Sequence, residues 1–281
     1  MVRVLGFGDN VVDKYEHIKT MYPGGNCVNF AVYAKQNGVE SSAYMGIFGT
    51  DSEAEHVIHT LGELNIETFK CRQIPGENGC AKVTLENGNR VFIGSNKGGV
   101  RKTNPFILDR FDLEYIKTFD LVHTGNNSYT ESELSKIRQA GVEVSFDFSH
   151  GSTDDYFKKV APDVDYAFLS CSDQTEEEIR VILKKISDYG CKIVVATMGP
   201  RGCMAFNGSR YFFEPAVDAE VIDTMGAGDS LATSFMVHYV RGKKQGTDQN
   251  TLIPHCLVEG SKFAIKTCMV PGAFDHGARY E

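Results

Sequence analysis

The sequence predicts a three-layer α/β/α fold with a mostly parallel central sheet. Strand-like runs alternate with helix-like stretches along most of the 281 residues, at 2–8, 42–49, 121–125, 142–149, 166–170 and 193–199. Several of these runs are apolar on both faces, which is typical of parallel strands that helices cover on both sides. Ligands of such sheets bind beyond the carboxyl ends of the strands, so we expect a functional site at that edge.

Length and composition are those of one globular domain covering 1–281. The net charge is −8 and the basic residues are scattered, which argues against a nucleic-acid surface. No apolar run is long enough to cross a bilayer and the N-terminus lacks a signal peptide's apolar stretch, so we expect no membrane partner and a cytoplasmic location. The eight cysteines include no C-x-x-C pair, which disfavours a zinc site.

Three helical stretches open with a hydroxyl residue followed three positions later by glutamate. This spacing is typical of a capping box at a helix N-terminus. The three pairs are Ser52 with Glu55, Thr130 with Glu133, and Thr175 with Glu178.

One region departs from the alternation of strands and helices. Residues 81–94 read AKVTLENGNRVFIG, which predicts a β-hairpin around an Asn-Gly turn. With 68–73 and 13–22 it would form a small antiparallel sheet, a β lid spanning about 13–22 and 67–100. The alternative is a plain surface hairpin. A second hairpin is expected at 203–213, where Asn207 and Gly208 form the turn.

The most informative segment for chemistry is 221–230, VIDTMGAGDS, which precedes an apolar and therefore buried helix. A turn almost free of side chains lets an anion approach the first amides of that helix, where the helix dipole adds positive charge. Asp229 can accept a hydroxyl proton while the amides of Gly226, Ala227 and Gly228 stabilise a transferred phosphoryl group. In the alternative interpretation, the glycines form only a turn and Asp229 is only an N-cap.

Polar residues also follow the first predicted strand. Asp9, Asn10 and Asp13 come at its carboxyl end, where short polar side chains can bind the hydroxyls of a polyol. The segment 23–33, PGGNCVNFAVY, places two glycines before a helix with asparagines at 26 and 29 on one face. The glycine pattern at 6–11 is not a dinucleotide fingerprint, because position 11 is valine.

A third glycine-containing segment, VVATMGPRGC at 194–203, reads as a buried strand that leads into a turn. No P-loop pattern occurs in the chain.

Together these segments resemble the signatures of the ribokinase-like (PfkB) sugar kinases, D-T-x-G-A-G-D at 223–229, G-G-x-x-x-N at 24–29 and T-x-G-x-x-G at 197–202. The resemblance implies that Asp229 is the catalytic base and that the amides of 226–228 form the anion hole. It implies sugar binding by Gly24, Gly25 and Asn29, and ATP binding along Thr197, Gly199, Gly202, Thr224, Gly226 and Gly228. It also implies a lid at this place in the chain and a homodimer formed through it.

The metal site departs from the family pattern. Family members often carry N-x-x-E after the strand that here reads AFLS, but residues 170–178 read SCSDQTEEE without asparagine. Glu176 is the candidate for the acidic function, and the alternative is a solvated helix start favoured by the dipole. We expect Mg²⁺ to rest largely on the ATP phosphates and water. Several family members bind a monovalent cation near the anion hole, and the sequence leaves that open here.

Finer similarity at 8–15, 23–33, 146–149 and 221–230 is to the family members that phosphorylate fructoselysine. It implies transfer to the 6-hydroxyl of a fructose that carries lysine through an amine at C1. Asp9 and Asp13 would suit that cationic amine. Arg90 and Lys97 in the lid would contact a phosphate or a carboxylate, or would lie in solvent.

Other interpretations stay open at this point. Fructose, ribose and 2-keto-3-deoxygluconate are the alternative substrates. A non-catalytic sugar sensor would be favoured by a missing Asp229 or a missing G-A-G turn, and both are present. A nicotinamide oxidoreductase is disfavoured by the broken N-terminal glycine pattern.

Overall fold

The fold is that of a computed structural model which describes residues 1–86, 89–217, 219 and 221–281, without the side chains of 85, 86, 89 and 90. The strands are β1 Arg3–Gly8, β2 Val11–Tyr15, β3 Thr20–Gly24, β4 Ser41–Phe48, β5 Arg72–Gln73, β6 Cys80–Glu86, β7 Asn89–Ser95, β8 Leu121–Gly125, β9 Glu143–His150, β10 Tyr166–Ser170, β11 Ile193–Thr197, β12 Cys203–Phe206, β13 Tyr211–Glu214 and β14 Ala278–Arg279. The α-helices are α1 Asn26–Gln36, α2 Ser52–Glu63, α3 Arg110–Ile116, α4 Leu134–Gln139, α5 Asp154–Val160, α6 Glu176–Asp188, α7 Ala227–Lys244 and α8 Gln249–Thr267.

The central sheet has nine strands in the order β13-β12-β11-β10-β9-β8-β1-β4-β5. All neighbouring pairs from β11 to β5 are parallel, and only β12 and β13 run antiparallel to their neighbours. All six predicted strands are present, with ends within about two residues of the expected ones. The carboxyl ends of the parallel strands therefore meet at one edge, as the sequence predicted.

Helices cover both faces of this sheet, which confirms the three-layer architecture. On one face α3 to α6 pack against the strands through side chains such as Ile116, Ile137 and Ile186. On the other face α1, α7 and α8 contribute Phe30, Phe235 and Leu257, and all six side chains are buried. The near-continuous apolar strands are thus explained by helices on both sides.

Only one of the three predicted capping boxes is confirmed. At α6 the hydroxyl of Thr175 accepts from the amide of Glu178, whose carboxylate accepts from the amide of Thr175. The Ser52 prediction is wrong, because Asp51 caps α2 through the amide of Ala54.

The prediction at Thr130 is also wrong. Its hydroxyl makes no cap and bonds instead to the hydroxyl of Thr124 inside the core. Glu133 is buried and accepts from the amide of Leu108, so both partners of the expected box are used by tertiary contacts.

A second sheet of five strands, which we call the lid, has the order β14-β3-β2-β6-β7. The predicted hairpin strands β6 and β7 are present, while the Asn87-Gly88 turn lies outside the described residues. The lid is not purely antiparallel as expected, because β2 and β6 pair in parallel. It also includes β14, from the end of the chain, which the sequence did not predict.

The segment 68–73 does not join the lid in the way predicted. Its last two residues form β5 and pair with β4 at the edge of the central sheet. The reason lies in Arg72, whose guanidinium lies 3.7 Å from the centre of the Phe106 ring and bonds to the buried carboxylate of Asp112 at 2.6 Å. These contacts hold the segment against the sheet rather than against the hairpin.

The hairpin of β12 and β13 and the buried helix α7 both match their predictions. Asn207 shapes the hairpin turn, since its side-chain oxygen accepts from the amides of Ser209 and Arg210. Within the described part of the chain, no helix is long and apolar enough to cross a membrane.

Candidate active site

Asp229 is the third residue of α7, and it does not cap that helix. The N-cap is Gly226, which adopts a left-handed conformation with φ 73° and makes no side-chain cap. A Cβ at Gly226 would lie 2.3 Å from the hydroxyl of Tyr33, so sterics and backbone conformation both require glycine. At Gly228 a Cβ would meet nothing within 4 Å, so this face of the helix start is open to a ligand. The simple N-cap interpretation of Asp229 is therefore wrong.

Two asparagines of α1 hold the Asp229 carboxylate. Asn29 donates through Nδ2 to Oδ2 at 2.6 Å, and Asn26 donates through Nδ2 to Oδ1 at 2.9 Å. Burial raises the pKa of Asp229 above its ordinary value, the two amide donors oppose that rise, and the charge of Asp9 adds to it. A fixed carboxylate whose pKa is shifted toward neutrality is suited to accept a proton at neutral pH.

Asn26 connects Asp229 to a second carboxylate and to a buried histidine. Its Nδ2 also donates to Asp147 Oδ2 at 3.0 Å, and its Oδ1 lies 2.9 Å from His123 Nε2. Because the amide nitrogen serves two carboxylates, the amide oxygen must accept, which assigns the proton of His123 to Nε2. Burial lowers the pKa of His123 to about 3, so the ring is neutral. The hydroxyl of Ser145 is 2.9 Å from Nδ1 and completes the chain.

Asp147 lies near the carboxyl end of β9. Burial and then the charge of Asp229 raise the pKa of Asp147 to about 7, against a bond from the amide of Ser149 that lowers it. Asp147 and Asp229 share one amide group, so their protonation is coupled. The site therefore holds a pair of carboxylates of which one gains a proton near neutral pH.

A set of polar groups suited to hydroxyls lines the start of α1. A Cβ at Gly24 would lie 2.9 Å from Asp13 Oδ2 and 3.7 Å from Asn29 Oδ1, so the glycine leaves both oxygens room for a ligand. The side-chain oxygens of Asn10 and Asn29 are buried without a hydrogen-bond donor among the described residues. Buried acceptors without donors are costly unless a ligand or water supplies the proton. Sugar hydroxyls are such donors.

Asp9, which the sequence also suggested for sugar binding, has its carboxylate engaged elsewhere. Oδ2 accepts from the amide of Asn26 at 2.8 Å, and Oδ1 accepts from the amide of Cys27 and the hydroxyl of Ser128. Asp9 thus fixes the start of α1, which carries Asn26 and Asn29. Its expected contact with substrate stays a prediction, as do those of Gly24, Gly25, Asn29 and Asp13.

The predicted nucleotide loop forms a tight turn after β11. Thr197 ends the strand, and Gly199 and Gly202 have positive φ values of 57° and 97°. A Cβ at Gly202 would lie 2.1 Å from the carbonyl oxygen of Glu214. The loop follows β11, which lies two strands from the β9 strand of Asp147, about 10 Å across the sheet. ATP binding by these residues and by Thr224 stays a prediction.

Glu176 lies in the first turn of α6 with a side chain 59% exposed, and it pairs with Arg180 at 2.7 Å. No cluster of three or more metal-binding side chains exists among the residues described. The metal role of Glu176 stays a prediction, and its helix-start position also fits the solvation alternative. The side chain of Arg90 lies outside the described residues.

Sequence reasoning missed several groups at this edge. His123 is one residue of an apolar strand and carries no pattern of its own, and Asp147 was noted only as part of FDFS. Tyr15 of β2 was also missed, although its hydroxyl donates to the carboxylate of Asp223 and so joins the lid to the segment before α7. Arg101, described below, is another. Only tertiary structure brings these residues together.

Comparison with known proteins agrees with this arrangement. The model of the pfkB family carbohydrate kinases matches residues 3–247. The chain is 41% identical over 280 residues to fructosamine kinase FrlD of Bacillus subtilis, covering 99% of this chain and 95% of that protein. It is 28% identical over 267 residues to fructoselysine 6-kinase of Escherichia coli, covering 95% and 97%.

Solved structures support the fold. A putative ribokinase II from Escherichia coli, solved with ATP and Mg²⁺, superposes with a TM-score of 0.75 at 18% identity, over 98% of this chain and 95% of that one. The family match, the parallel sheet and the Asp229 site agree with one another. The chain therefore belongs to the PfkB family and is an ATP-dependent carbohydrate kinase, a phosphotransferase with an alcohol group as acceptor.

Proposed function

We propose that this kinase transfers the γ-phosphoryl group of ATP to the 6-hydroxyl of a fructosamine, a fructose that carries an amino acid through an amine at C1, with fructoselysine as the reference substrate. The observation that carries the proposal is the Asp229 carboxylate at the start of α7. The side-chain amides of Asn26 and Asn29 hold it, and the side-chain oxygens of Asn10 and Asn29 have no donor among the described residues.

Asp229 is the proposed general base. Its two amide donors fix the carboxylate, and its raised pKa favours proton uptake from a primary hydroxyl as that oxygen attacks. The O–H bond breaks toward Asp229 while the new O–P bond forms and the bond to the ADP leaving group breaks. The proton leaves Asp229 afterwards to solvent.

The amides of Gly226, Ala227 and Gly228 are proposed to stabilise the negative charge of the transferred group. The first amides of a helix have no acceptor within it, and the helix dipole favours an anion there. Ala227 is partly used already, since its amide makes a long 3.3 Å bond to the carbonyl of Thr224. The anion must therefore compete with this bond, which is weak at that length.

ATP is proposed to lie along the turn at Thr197, Gly199 and Gly202 and to reach the start of α7 past Thr224, with Mg²⁺ bound to its phosphates. Mg²⁺ supplies charge neutralisation on those phosphates and keeps several waters. Glu176 is exposed in the first turn of α6, and the role proposed for it is a contact with Mg²⁺ through water.

Closure of the lid would exclude water that competes for the phosphoryl group. Tyr15 on β2 already bonds to Asp223, three residues before Gly226. This hydrogen bond connects the lid to the segment that leads into the proposed anion-binding turn.

The fructosamine assignment is supported by the two relatives named for fructosamine and fructoselysine, which this chain matches over nearly its full length. The site adds a chemical reason, since Asp13 and Asn29 offer acceptors to several hydroxyls or to a secondary amine. The alternatives are fructose, ribose and 2-keto-3-deoxygluconate.

The deciding experiment measures ADP release with ATP and Mg²⁺ on a panel of fructoselysine, fructosylglycine, fructose, ribose and 2-keto-3-deoxygluconate. ³¹P and ¹³C NMR of the product then locates the phosphate. We expect the highest kcat/KM for the fructosamines and a phosphate on C6. Activity confined to free sugars, or phosphate on another carbon, would refute the assignment.

We also propose a homodimer through the lid. Its edge strand β7 carries Phe92 and Ile93, which are 58% and 53% exposed, and edge strands present backbone groups to a second chain. Light scattering on an Ile93→Lys variant tests this proposal. We expect the dimeric mass of the parent chain to fall to that of the monomer, and a monomeric parent would refute it.

A further inference from the structure

Arg101 follows the lid strand β7 in a short 3₁₀ turn, and only 3% of it is exposed. Its Nη2 donates to the carbonyl of Asn127 at 2.8 Å. The other two guanidinium nitrogens, Nε and Nη1, are buried and have no acceptor among the described residues. Among the described residues Arg101 forms no ion pair, and its guanidinium carbon lies 5.6 Å from the centre of the Tyr129 ring. Arg101 is therefore a buried cation with most of its donors unused.

Such an arrangement is unfavourable for folding alone. A buried charge without a paired and hydrogen-bonded partner costs several kcal/mol in effective terms. Native structures satisfy nearly all buried donors, so an exception points to a partner that binds from outside. The partner that a guanidinium fits best is a planar anion with two acceptor oxygens.

The position of Arg101 relates it to the proposed substrate. Asn29 bonds to Asp229, where phosphoryl transfer is proposed. Gly24 lies next to the side chain of Asn29, and Gly25 lies next to Asp9. Ser128 bonds to Asp9, and the adjoining Asn127 holds Arg101. Arg101 is thus linked through Asn127 and Ser128 to Asp9, beside the polar groups at the start of α1.

The positive charge of Arg101 lowers the pKa of Asp9. Burial tends to raise the pKa of Asp9, but the guanidinium of Arg101 and the bonds from Cys27 and Ser128 outweigh it, and the pKa of Asp9 lies below its ordinary value. Asp9 nevertheless keeps its oxygens on the start of α1. The Asp9 carboxylate therefore interacts with Arg101 through charge alone, and Nε and Nη1 of Arg101 are left without an acceptor among the described residues.

The cover over Arg101 is formed by the chain that leads out of the lid. Three successive residues, 97–99, have positive φ values of 57°, 96° and 57°. A Cβ at Gly98 would lie 2.7 Å from Arg101 Nη2, so this backbone rests directly on the guanidinium. The hydroxyl of Tyr129 donates to the carbonyl of Lys97 at 2.9 Å and closes the cover. Because only 3% of Arg101 is exposed, contact with a ligand requires this segment to be displaced.

We propose that Arg101 binds the α-carboxylate of the amino acid in a fructosamine whose sugar is joined through the α-amino group. The proposal rests on the proposed function and specifies its substrate class. The acceptor hydroxyl is at one end of such a substrate, next to Asp229. The amine at C1 and the carboxylate one carbon beyond it are at the other end, which fits an anion site adjoining the sugar site.

The test compares three substrates that differ only beyond C1: fructosylglycine, the carboxylate-free fructosylpropylamine, and ε-fructoselysine, whose carboxylate lies several bonds further away. Kinetics are measured for the parent chain and for Arg101→Gln and Arg101→Lys. Lys102→Gln is the matched control, since it removes an exposed positive charge at the next position.

We expect Arg101→Gln to lower kcat/KM for fructosylglycine by roughly 10- to 100-fold, mainly through KM, in line with the loss of a charge-assisted hydrogen bond. Activity on fructosylpropylamine should change less than about threefold, and ε-fructoselysine should fall between the two. Arg101→Lys should restore part of the loss, because it keeps the charge without the planar donor set. Lys102→Gln should behave as the parent chain.

An equal loss on all three substrates would overturn the proposal, because it would show a structural role for Arg101. Equal use of fructosylglycine and fructosylpropylamine by the parent chain would overturn it as well. Fructose 1-phosphate is tested as a fourth substrate. If Arg101→Gln lowers kcat/KM for that compound alone, the anion that Arg101 binds is a phosphate, and the proposal of a carboxylate is refuted. The proposed function fails separately, if the parent chain phosphorylates no fructosamine, including fructosylpropylamine. A thermal unfolding curve for each variant verifies folding.

Discussion

Replacing Asn26 with alanine removes the amide that joins Asp229, Asp147 and His123. Asp229 then keeps one side-chain donor, Asn29, because the 2.9 Å bond from Asn26 Nδ2 is lost. The backbone amide of residue 26 still donates to Asp9, so the start of α1 is retained. The change therefore acts on the proposed base more than on the fold.

The size of the effect follows from the bond that is lost. A hydrogen bond to a charged group is worth about 1.5–3 kcal/mol, and one pKa unit corresponds to about 1.4 kcal/mol. Since Asn26 stabilises the ionised form of Asp229, its removal should raise the pKa of Asp229 further. The base is then protonated at a higher pH, and kcat/KM on the acid limb of the pH profile should fall by about 10- to 100-fold, the equivalent of the lost bond.

The assay is kcat/KM for the sugar between pH 5.5 and 9, because its pH dependence reports the ionisation of the free enzyme. We expect the acid limb of the Asn26→Ala profile to move to higher pH and much of the rate to return near pH 9. Asn37→Ala is the control, since Asn37 lies at the other end of the same helix and, among the described residues, its side chain donates to the carbonyl of Tyr33 alone. An acid limb that stays in place, or moves to lower pH, would refute the account of Asn26.

Two further predictions concern ionisation and stability. The pKa of Asp147 in the fold, about 7, is above its ordinary value of 3.8, so the fold binds this proton more tightly than the unfolded chain. Stability must then fall as pH rises from about 4 to 7. In Asp147→Asn the loss of unfolding free energy between pH 4.5 and 7.5 should be smaller by about 1 kcal/mol or more, as measured by urea unfolding. An unchanged loss would contradict the raised pKa of Asp147. Thr175→Ala should cost about 1 kcal/mol of unfolding free energy, whereas Ser52→Ala should cost little because Asp51 is the cap, and the reverse order would contradict both caps.

The fold was predictable where local pattern and tertiary environment agree. The central strands are buried on both faces, so apolar runs identified them directly. The capping boxes failed where a tertiary partner intervened. Thr130 and Glu133 match a capping box by spacing. In the structure, however, the Thr130 hydroxyl bonds to that of Thr124, and the Glu133 carboxylate accepts from the amide of Leu108.

The assignment of 68–73 failed for a related reason. A two-residue strand contains too little pattern to choose between two sheets, and the choice was made by Arg72 on Phe106 and Asp112, residues over 30 positions away. Sequence reasoning has no access to such contacts.

The candidate site was predictable as far as its motifs reach. The glycine turn, Asp229 and Asn29 were identified because backbone conformation and phosphoryl chemistry restrict the residues allowed there. The sequence placed Asn26 only on one helix face with Asn29, whereas the structure bonds its side chain to Asp229, Asp147 and His123. Arg101 has no local pattern at all, and only its burial and its unused donors identify it.

The central claim, that Asp229 removes the proton of the acceptor hydroxyl, is tested most directly by the Asp229→Asn variant. The amide keeps the size of the side chain and can still accept one bond from Asn26 or Asn29, but it cannot take a proton at neutral pH. We predict that kcat falls by about 10²- to 10⁴-fold, with the dissociation constant of ATP and the folded state nearly unchanged. Near-normal turnover by this variant would contradict the account.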